Sequence, residues 1–305
     1  MKPIVVLGSI NQDLVFTLPR LPRPGETITA ADFQLFPGGK GANQAVAAAR
    51  LGGDVSMVGC VGEDVFGRQL VAGLKAEGVD CTYLQVVSEP TGCAGIGVLP
   101  DGENSIAIYG GANAKVVPER LAQTVPILES AGVLMLQLEI PLDTVEWAAQ
   151  IAASAGVPII LDPAPAQPLS PGVLSLIDVL TPNAAEATDL TGIDVHCWKT
   201  AARAATNLRE QGAKNVLVTM GKFGAYFSGP DGEVRINTPA VEAVDTTAAG
   251  DAFVGALAMG LVYGLPVDQA ADIAAAAGAL AVTKHGARPS LPTISALRKV
   301  VNTPW

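Results

Sequence analysis

The sequence is short of histidine, cysteine, aromatic residues and charge, and each shortage removes a class of function. Histidine occurs twice, at His196 and His285, and the four cysteines, Cys60, Cys81, Cys93 and Cys197, are scattered without a C-x-x-C pair. A Cys/His zinc cluster has no donor set here. Free thiols in a reducing compartment are a simpler reading than a disulfide framework at 305 residues. Aromatic residues make up 5% and charged residues 16% of the chain, the latter below the usual ~25%. With 49% of the chain hydrophobic, a packed core is expected rather than disorder. Basic residues are scarce too: 19 stand against 29 acidic ones, a formal charge of −10. That balance gives no footprint for nucleic acid and no polybasic stretch for a membrane surface. An anionic substrate would need local positive groups to work against the global field. Near-apolar runs such as Ile273 to Val282, 10 residues long, fall below the ~20 that span a bilayer. The chain opens on Ile4-Val5-Val6-Leu7 with no cleavage pattern behind it, so a soluble cytoplasmic protein is expected.

What is present is an alternation. Short runs of Val, Ile and Leu at 4–7, 55–58, 133–136, 158–161, 179–180 and 216–218 predict buried strands. Between them, helical patterns occupy 41–51, 66–77, 142–155, 184–191 and 200–211, and the last third, from Gly250, is Ala-rich and helical. Strand–helix–strand units of this kind predict an α/β fold, a mostly parallel sheet covered on both faces. In such a fold a ligand binds at the carboxyl ends of the strands. Two segments break the pattern. Residues 13–36, with Pro19, Pro22, Pro24, Gly25 and the alternating Thr27-Ile28-Thr29, and residues 92–109, around Pro100-Asp101-Gly102, predict antiparallel strands and hairpins. Together they would form one small sheet projecting from the core.

Two glycine-bearing clusters open helices. In Pro37-Gly38-Gly39-Lys40-Gly41-Ala42-Asn43-Gln44, glycine permits close backbone approach to a ligand and the helix start offers free N–H groups. It lacks both the P-loop spacing and the G-x-G-x-x-G of a dinucleotide fold, which argues against a Rossmann-type dehydrogenase. A plain turn before a helix remains open. The second cluster, Val244-Asp245-Thr246-Thr247-Ala248-Ala249-Gly250-Asp251, leads small residues into a long apolar helix. Backbone amides of Ala248, Ala249, Gly250 and Asp251 would cradle an oxyanion or transferring phosphoryl, and a carboxylate beside them would accept a hydroxyl proton. Asp251 equally suits the positive end of the helix dipole, and Asp245 a loop that satisfies its own backbone.

The two clusters in this order resemble the ribokinase-like carbohydrate kinases. The resemblance runs nearly end to end, through Gly8 to Asp13, Pro24 to Thr27, Gly38 to Ala45, Gly111-Ala112-Asn113, Leu136 to Glu139, Asp162 to Ala166, Thr181 to Glu186, Asp245 to Phe253 and Gly286 to Ser290. It implies a single domain over 1–305, with a Rossmann-like three-layer core and a lid formed by about 13–36 and 92–109. It implies ATP-dependent transfer of the γ-phosphoryl to O5 of D-ribose, with Asp251 as base and Ala248, Ala249 and Gly250 in the anion hole. Asn11, Asp13, Gly39, Lys40, Gly41, Ala42, Asn43 and Glu139 would surround the sugar, where carboxylates and amides suit paired hydroxyls. Asn183, Gly250 and the loop Thr219-Met220-Gly221-Lys222-Phe223-Gly224 would hold ATP. Asn183 and Glu186 would handle Mg²⁺ through water. Asp245, Thr247, Ala281, Lys284, Gly286 and Ser290 would bind K⁺. A homodimer through the lid is implied as well.

Local sequence leaves plainer readings beside these. They are a turn at Asp13, a solvated loop charge at Glu139, a capping box at Asn183 and Glu186, a hairpin at 219–224 and a surface turn at 286–290. His285 has no assigned role. Ala184 and Ala185 follow Asn183 where relatives often carry a polar residue, and the glycine-rich stretch 93–99 is unusual for a lid. Rivals are a same-fold kinase for deoxyribose, a ketohexose, a keto-deoxy sugar acid or a nucleoside, and a catalytically silent sugar sensor. Only Phe16, Phe33 and Phe36 are available early in the chain to stack a base, which disfavours a nucleoside.

Overall fold

The computed structural model describes residues 2–305, in which thirteen strands form two sheets. In chain order the strands are β1 (Ile4–Leu7), β2 (Asn11–Thr17), β3 (Asp32–Gly38), β4 (Val55–Gly62), β5 (Leu84–Val87), β6 (Gly92–Val98), β7 (Asn104–Tyr109), β8 (Val133–Gln137), β9 (Ile159–Asp162), β10 (Val179–Leu180), β11 (Asn215–Thr219), β12 (Ala225–Gly229) and β13 (Gly232–Ile236). The helices that matter below are α1 (Lys40–Arg50), α2 (Val65–Ala76), α3 (Leu142–Ser154), α4 (Ala184–Thr191), α5 (Trp198–Glu210), α6 (Ala249–Val262) and α7 (Val267–Ala281).

The large sheet runs β13-β12-β11-β10-β9-β8-β1-β4-β5 and is parallel except at the β11–β12–β13 edge. Its central strands are apolar on both faces because both faces are covered. On β1, Ile4 and Val6 join one core with Val46, Ala47 and Leu257, from α1 and α6. Val5 and Leu7 point the other way, into a core with Ala148, Ala149 and Leu208 from α3 and α5. The expected three-layer α/β architecture is therefore present. The β12–β13 hairpin was not anticipated, although Pro230-Asp231-Gly232 carries a turn signal.

The second sheet, β3-β2-β6-β7, collects the two irregular segments. β2 pairs antiparallel with β3, and β6 with β7, as expected, but β2 and β6 join in parallel. Thr27-Ile28-Thr29 is loop, not strand, and the sheet begins at Asn11 and takes in Gly38. β2 starts three residues after β1 ends, and β3 runs into the start of α1, so this sheet is tethered at the carboxyl edge of the large one.

Close packing of α1 on α6 brings the two glycine-bearing clusters together. A Cβ at Gly255 would lie 2.6 Å from Ala47 Cβ and 2.9 Å from the Ala48 nitrogen, so only glycine lets the helices approach this closely. Their N-termini end side by side. No helix among the described residues is long and apolar enough to cross a membrane, and all four cysteines are free.

Candidate active site

Asp251 lies in the first turn of α6, buried, with both carboxylate oxygens held by side chains from α1. Asn43 Nδ2 donates to Oδ2 at 3.1 Å and Gln44 Nε2 to Oδ1 at 3.2 Å. Burial pushes the Asp251 carboxyl up to about 6; Lys40 and the two amides pull it down and the Asp162 charge pushes it further up. Asp162, at the end of β9, is buried beside it and also rises to about 6, for the same first reason. Gln44 Nε2 donates to Asp162 Oδ2 at 2.7 Å, and the Lys40 ammonium lies 3.6 Å from the same oxygen. Burial opposes the charge on Lys40, but Asp162, Asp251, Glu139 and Glu186 outweigh it and keep the ammonium protonated.

A second polar group lies where β1 passes into β2. Ser9 Oγ donates to Glu139 Oε2 at 2.5 Å, the Lys40 backbone N–H reaches the same oxygen at 3.2 Å, and Asn11 Nδ2 stands 3.5 Å away. Asn113 fixes Asn11, donating to its Oδ1 at 2.7 Å while accepting from the Ile10 N–H at 2.9 Å. Gly39 has φ +86°, and a Cβ there would come within 2.6 Å of the Asn11 nitrogen. Glycine is therefore required for the turn into α1 to press against β2. Asp13 lies on the same strand with its carboxylate against Gly38, and it accepts no hydrogen bond there from the described residues. Burial pushes it up to about 7, with the Glu139 and Asp251 charges adding and Arg288 opposing.

The N-terminus of α6 opens on a cleft of about 520 Å³ lined by Ala248, Ala249, Gly250 and Asp251, by Lys40, and across from them by Asn183, Thr219, Met220 and Gly221. Ala248 caps the helix at φ 60°, the one non-glycine residue with positive φ among those described. That conformation costs an alanine roughly 1–2 kcal/mol, and it turns the following amides toward the cleft. The Gly250 and Asp251 N–H groups find no backbone acceptor, whereas the Ala249 N–H points back to the Thr246 carbonyl at 3.3 Å. The Ala248 N–H has no backbone acceptor either, so three of the four amides of the expected cradle are unpaired. Lys40 serves both groups: its backbone N–H faces Glu139, and its side chain lines the cleft.

The remaining candidates divide. Lys222, Phe223 and Gly224 do not line the cleft; Lys222 lies over the exposed Phe223 ring at 5.5 Å, and Gly224 shapes the turn into β12. Asn183 and Glu186 do form the capping box at the start of α4: Glu186 Oε2 accepts from the Asn183 N–H at 2.8 Å and Oε1 from its Nδ2 at 2.7 Å. Among the described residues no group of three His, Cys, Asp or Glu side chains is placed to cage a metal. This sparse donor set suits an ion that keeps most of its waters, as magnesium does.

The two segments proposed for potassium are latched together. Asp245 Oδ2 accepts from the Gly286 N–H at 2.8 Å, Oδ1 from Thr247 Oγ1 at 2.6 Å, and the Val282 carbonyl accepts from the Val244 N–H at 2.7 Å. Burial would raise Asp245, but these donors outweigh it and hold it below the usual carboxylate range. Residues 287–290 are a short helix with Ala287, Arg288 and Ser290 buried, not a surface turn. His285 is exposed.

Sequence reasoning gave no role to six residues of this site: Ser9, Gln44, Asn113, Gln137, Asp162 and Arg288. Arg288 donates to Asn43 Oδ1 at 3.3 Å and to the Gly38 carbonyl at 3.2 Å, and burial lowers it to about 10. A polar side chain inside an otherwise small and apolar helix face was the available signal for Gln44.

A cluster of carboxylates and amides, the buried Asp251 and an amide-lined cleft, set in this order across a parallel sheet, form the arrangement expected of a carbohydrate kinase. The chain belongs to the pfkB family of carbohydrate kinases, whose family model matches residues 1–294. It is 44% identical over 293 residues to a ribokinase of Haemophilus influenzae, covering 96% of each chain. It is 38% identical over 293 residues to a deoxyribokinase of Salmonella typhi, covering 95% of this chain and 96% of that one. The structure of Arabidopsis thaliana ribokinase complexed with ribose and ATP superposes with a TM-score of 0.92, at 38% identity and 98% coverage of both chains.

Asp13 offers a test of the hydroxyl pocket. Its folded value of about 7 lies above the ordinary 3.8, so folding favours its protonated form. That contribution is fully present below about pH 4 and is lost as pH rises through 7. Asp13→Asn is expected to raise the thermal midpoint at about pH 8, to leave it nearly unchanged at about pH 4, and to weaken sugar binding. Scanning calorimetry at both pH values, with a sugar titration, checks this; an equal change at both removes the buried charge from the account.

Proposed function

We propose that the chain phosphorylates D-ribose at O5 with ATP, giving D-ribose 5-phosphate and ADP. The observation that carries this reading is the position of Asp251, shared between the hydroxyl-binding group and the amide-lined cleft. Asp13, Glu139 and Asn11 would hold the sugar hydroxyls, and the relatives include both a ribokinase and a deoxyribokinase. The acceptor oxygen would hydrogen-bond the Asp251 carboxylate, which is ionised at neutral pH and takes the proton as the oxygen attacks phosphorus. The free N–H groups of Gly250 and Asp251 and the Lys40 ammonium would stabilise charge on the transferring phosphoryl. Thr219, Met220 and Gly221 would form the wall for the rest of the nucleotide. Asn183 and Glu186 would hold magnesium through water, and the ion would supply positive charge to neutralise the nucleotide phosphates. The small sheet would close over the sugar and exclude water as a competing acceptor. The four free thiols fit a reducing compartment, the cytoplasm.

Supporting ribose over deoxyribose is the higher identity to the Haemophilus enzyme. ADP release measured with ribose, 2-deoxyribose, fructose and a nucleoside should be fastest with ribose. Asp251→Asn should lower kcat by ~10²–10⁴-fold while sugar and ATP still bind. A folded variant with near wild-type turnover would show that Asp251 only supports its helix.

We also infer a potassium site at the latch between 245–247 and 281–290, where an ion would tune the loop that carries the anion cradle. Replacing Na⁺ with K⁺ at constant ionic strength should raise the rate, and equal rates in potassium-free sodium buffer would remove the site. The reading further includes a homodimer through the small sheet, which leaves Phe33, Leu35, Ile106 and Ile108 exposed. Sedimentation should give a dimer that Ile108→Lys dissociates; a monomeric wild-type protein would end that part of the proposal.

A further inference from the structure

We propose that Gln44 is a positioning residue for the phosphoryl transfer: its amide, held in one orientation by Gln137, donates to Asp251 and Asp162 together and fixes the carboxylate that takes the sugar proton. The inference rests on the reading of Asp251 as the base.

Gln44 is fully buried in α1, and each of its polar atoms has a partner. Nε2 donates to Asp162 Oδ2 at 2.7 Å and to Asp251 Oδ1 at 3.2 Å, and Oε1 accepts from Gln137 Nε2 at 2.7 Å. An amide nitrogen carries two hydrogens, so both are committed, one to each carboxylate. The partners dictate the orientation. Turned over, the amide would set its oxygen against two carboxylates and its nitrogen against the nitrogen of Gln137, losing all three hydrogen bonds. Gln137 ends β8 and is itself fully buried, so the anchor belongs to a central strand rather than to a loop.

The consequence falls on Asp251. Gln44 holds Oδ1 and its chain neighbour Asn43 holds Oδ2, so two consecutive residues of one helix set the plane of the carboxylate. Each oxygen keeps a second lone pair for the incoming hydroxyl. Asp251 and Asp162 are both buried and both acidic, and Lys40 is the cation that faces them at short range. Further charges around them are Glu139 after β8, Asp13 on β2, Glu186 on α4 and Arg288. Without the Gln44 donors the acids outnumber the cation, and the pair would retain a proton that the mechanism needs Asp251 to have released.

Gln44→Leu keeps a similar volume and removes both donors. In the intact protein at saturating sugar and ATP it should lower kcat at about pH 7 by ten- to a hundred-fold, with both KM values within about threefold of wild type. The acidic limb of kcat should move up by about one pH unit, the effect of losing one hydrogen bond to a charged acceptor. Gln137→Leu, which leaves Gln44 Oε1 without its donor and loosens the amide, should move the limb in the same direction by less, and it decides the matter if Gln44→Leu does not fold. A folded Gln44→Leu protein whose acidic limb stays in place overturns the proposal, whatever its rate, because a merely structural role lowers kcat without moving the limb. Run beside Asp251→Asn, the outcomes separate. Loss of turnover in Asp251→Asn with an unmoved limb in Gln44→Leu defeats only the role of Gln44; retained turnover in Asp251→Asn defeats both.

Discussion

The rest of the site is built around one costly arrangement: Asp251 is buried beside a second acid, and the proposed transfer needs it ionised near neutral pH. Full burial moves a carboxyl up by as much as 3–5 units, which would leave this one protonated at pH 7. It rests instead at about 6, because Lys40, Asn43 and Gln44 recover much of what desolvation removes. Those three residues come from α1, more than 200 positions away in the chain. They reach Asp251 only because α1 and α6 touch backbone to backbone at Gly255. The close helix contact is therefore as much a part of the chemistry as the carboxylate, since widening it by the width of a side chain would part donor from acceptor.

The same requirement organises the charge. A chain of net charge −10 collects Asp13, Glu139, Asp162, Asp251 and Glu186 around one site. That arrangement suits a neutral sugar, whose hydroxyls need acceptors, and repels a polyphosphate. The cleft answers locally with the Lys40 ammonium and the unpaired amides of the first turn of α6, a region worth roughly half a positive charge. Both lie on the phosphate side of Asp251. Acceptors gather on one side of Asp251 and donors on the other, the polarity that the proposed transfer would need.

The sheet was legible because its central strands are buried on both faces and must be continuous runs of Val, Ile and Leu, as at Ile4–Leu7 and Val133–Gln137. The two glycine-bearing clusters were legible because helix entry next to a ligand leaves a compositional trace. Less local features were not. Nothing in an alanine announces a positive φ at Ala248, and nothing near Arg288 or Asp162 announces partners over a hundred residues away. At Asn183 and Glu186 the plain and the functional readings are compatible, since a capping box holds two oxygens in place at the cleft wall. The parallel join of β2 to β6 was missed because periodicity identifies a strand but is silent on its neighbour.

Burial of the three acids also sets where the fold is weakest. Asp13, Asp162 and Asp251 have folded values of about 7, 6 and 6 against an ordinary 3.8. Each therefore binds its proton more tightly in the folded state. The associated stability is intact below about pH 4 and is lost as pH climbs through 6 and 7. Most carboxylates behave in the opposite sense, strengthening the fold as they ionise. The proposed mechanism needs Asp251 ionised, so the pH range in which it would work is the range in which this carboxylate weakens the protein. Strain at Ala248 adds to that burden at the same helix end. A sugar hydroxyl donating to these carboxylates, and a phosphate accepting from Lys40 and the first-turn amides, would each relieve part of it. Ligand binding would then stabilise the chain through the same groups that destabilise it in the free protein, and would tie the proposed closure of the small sheet to the arrival of substrate.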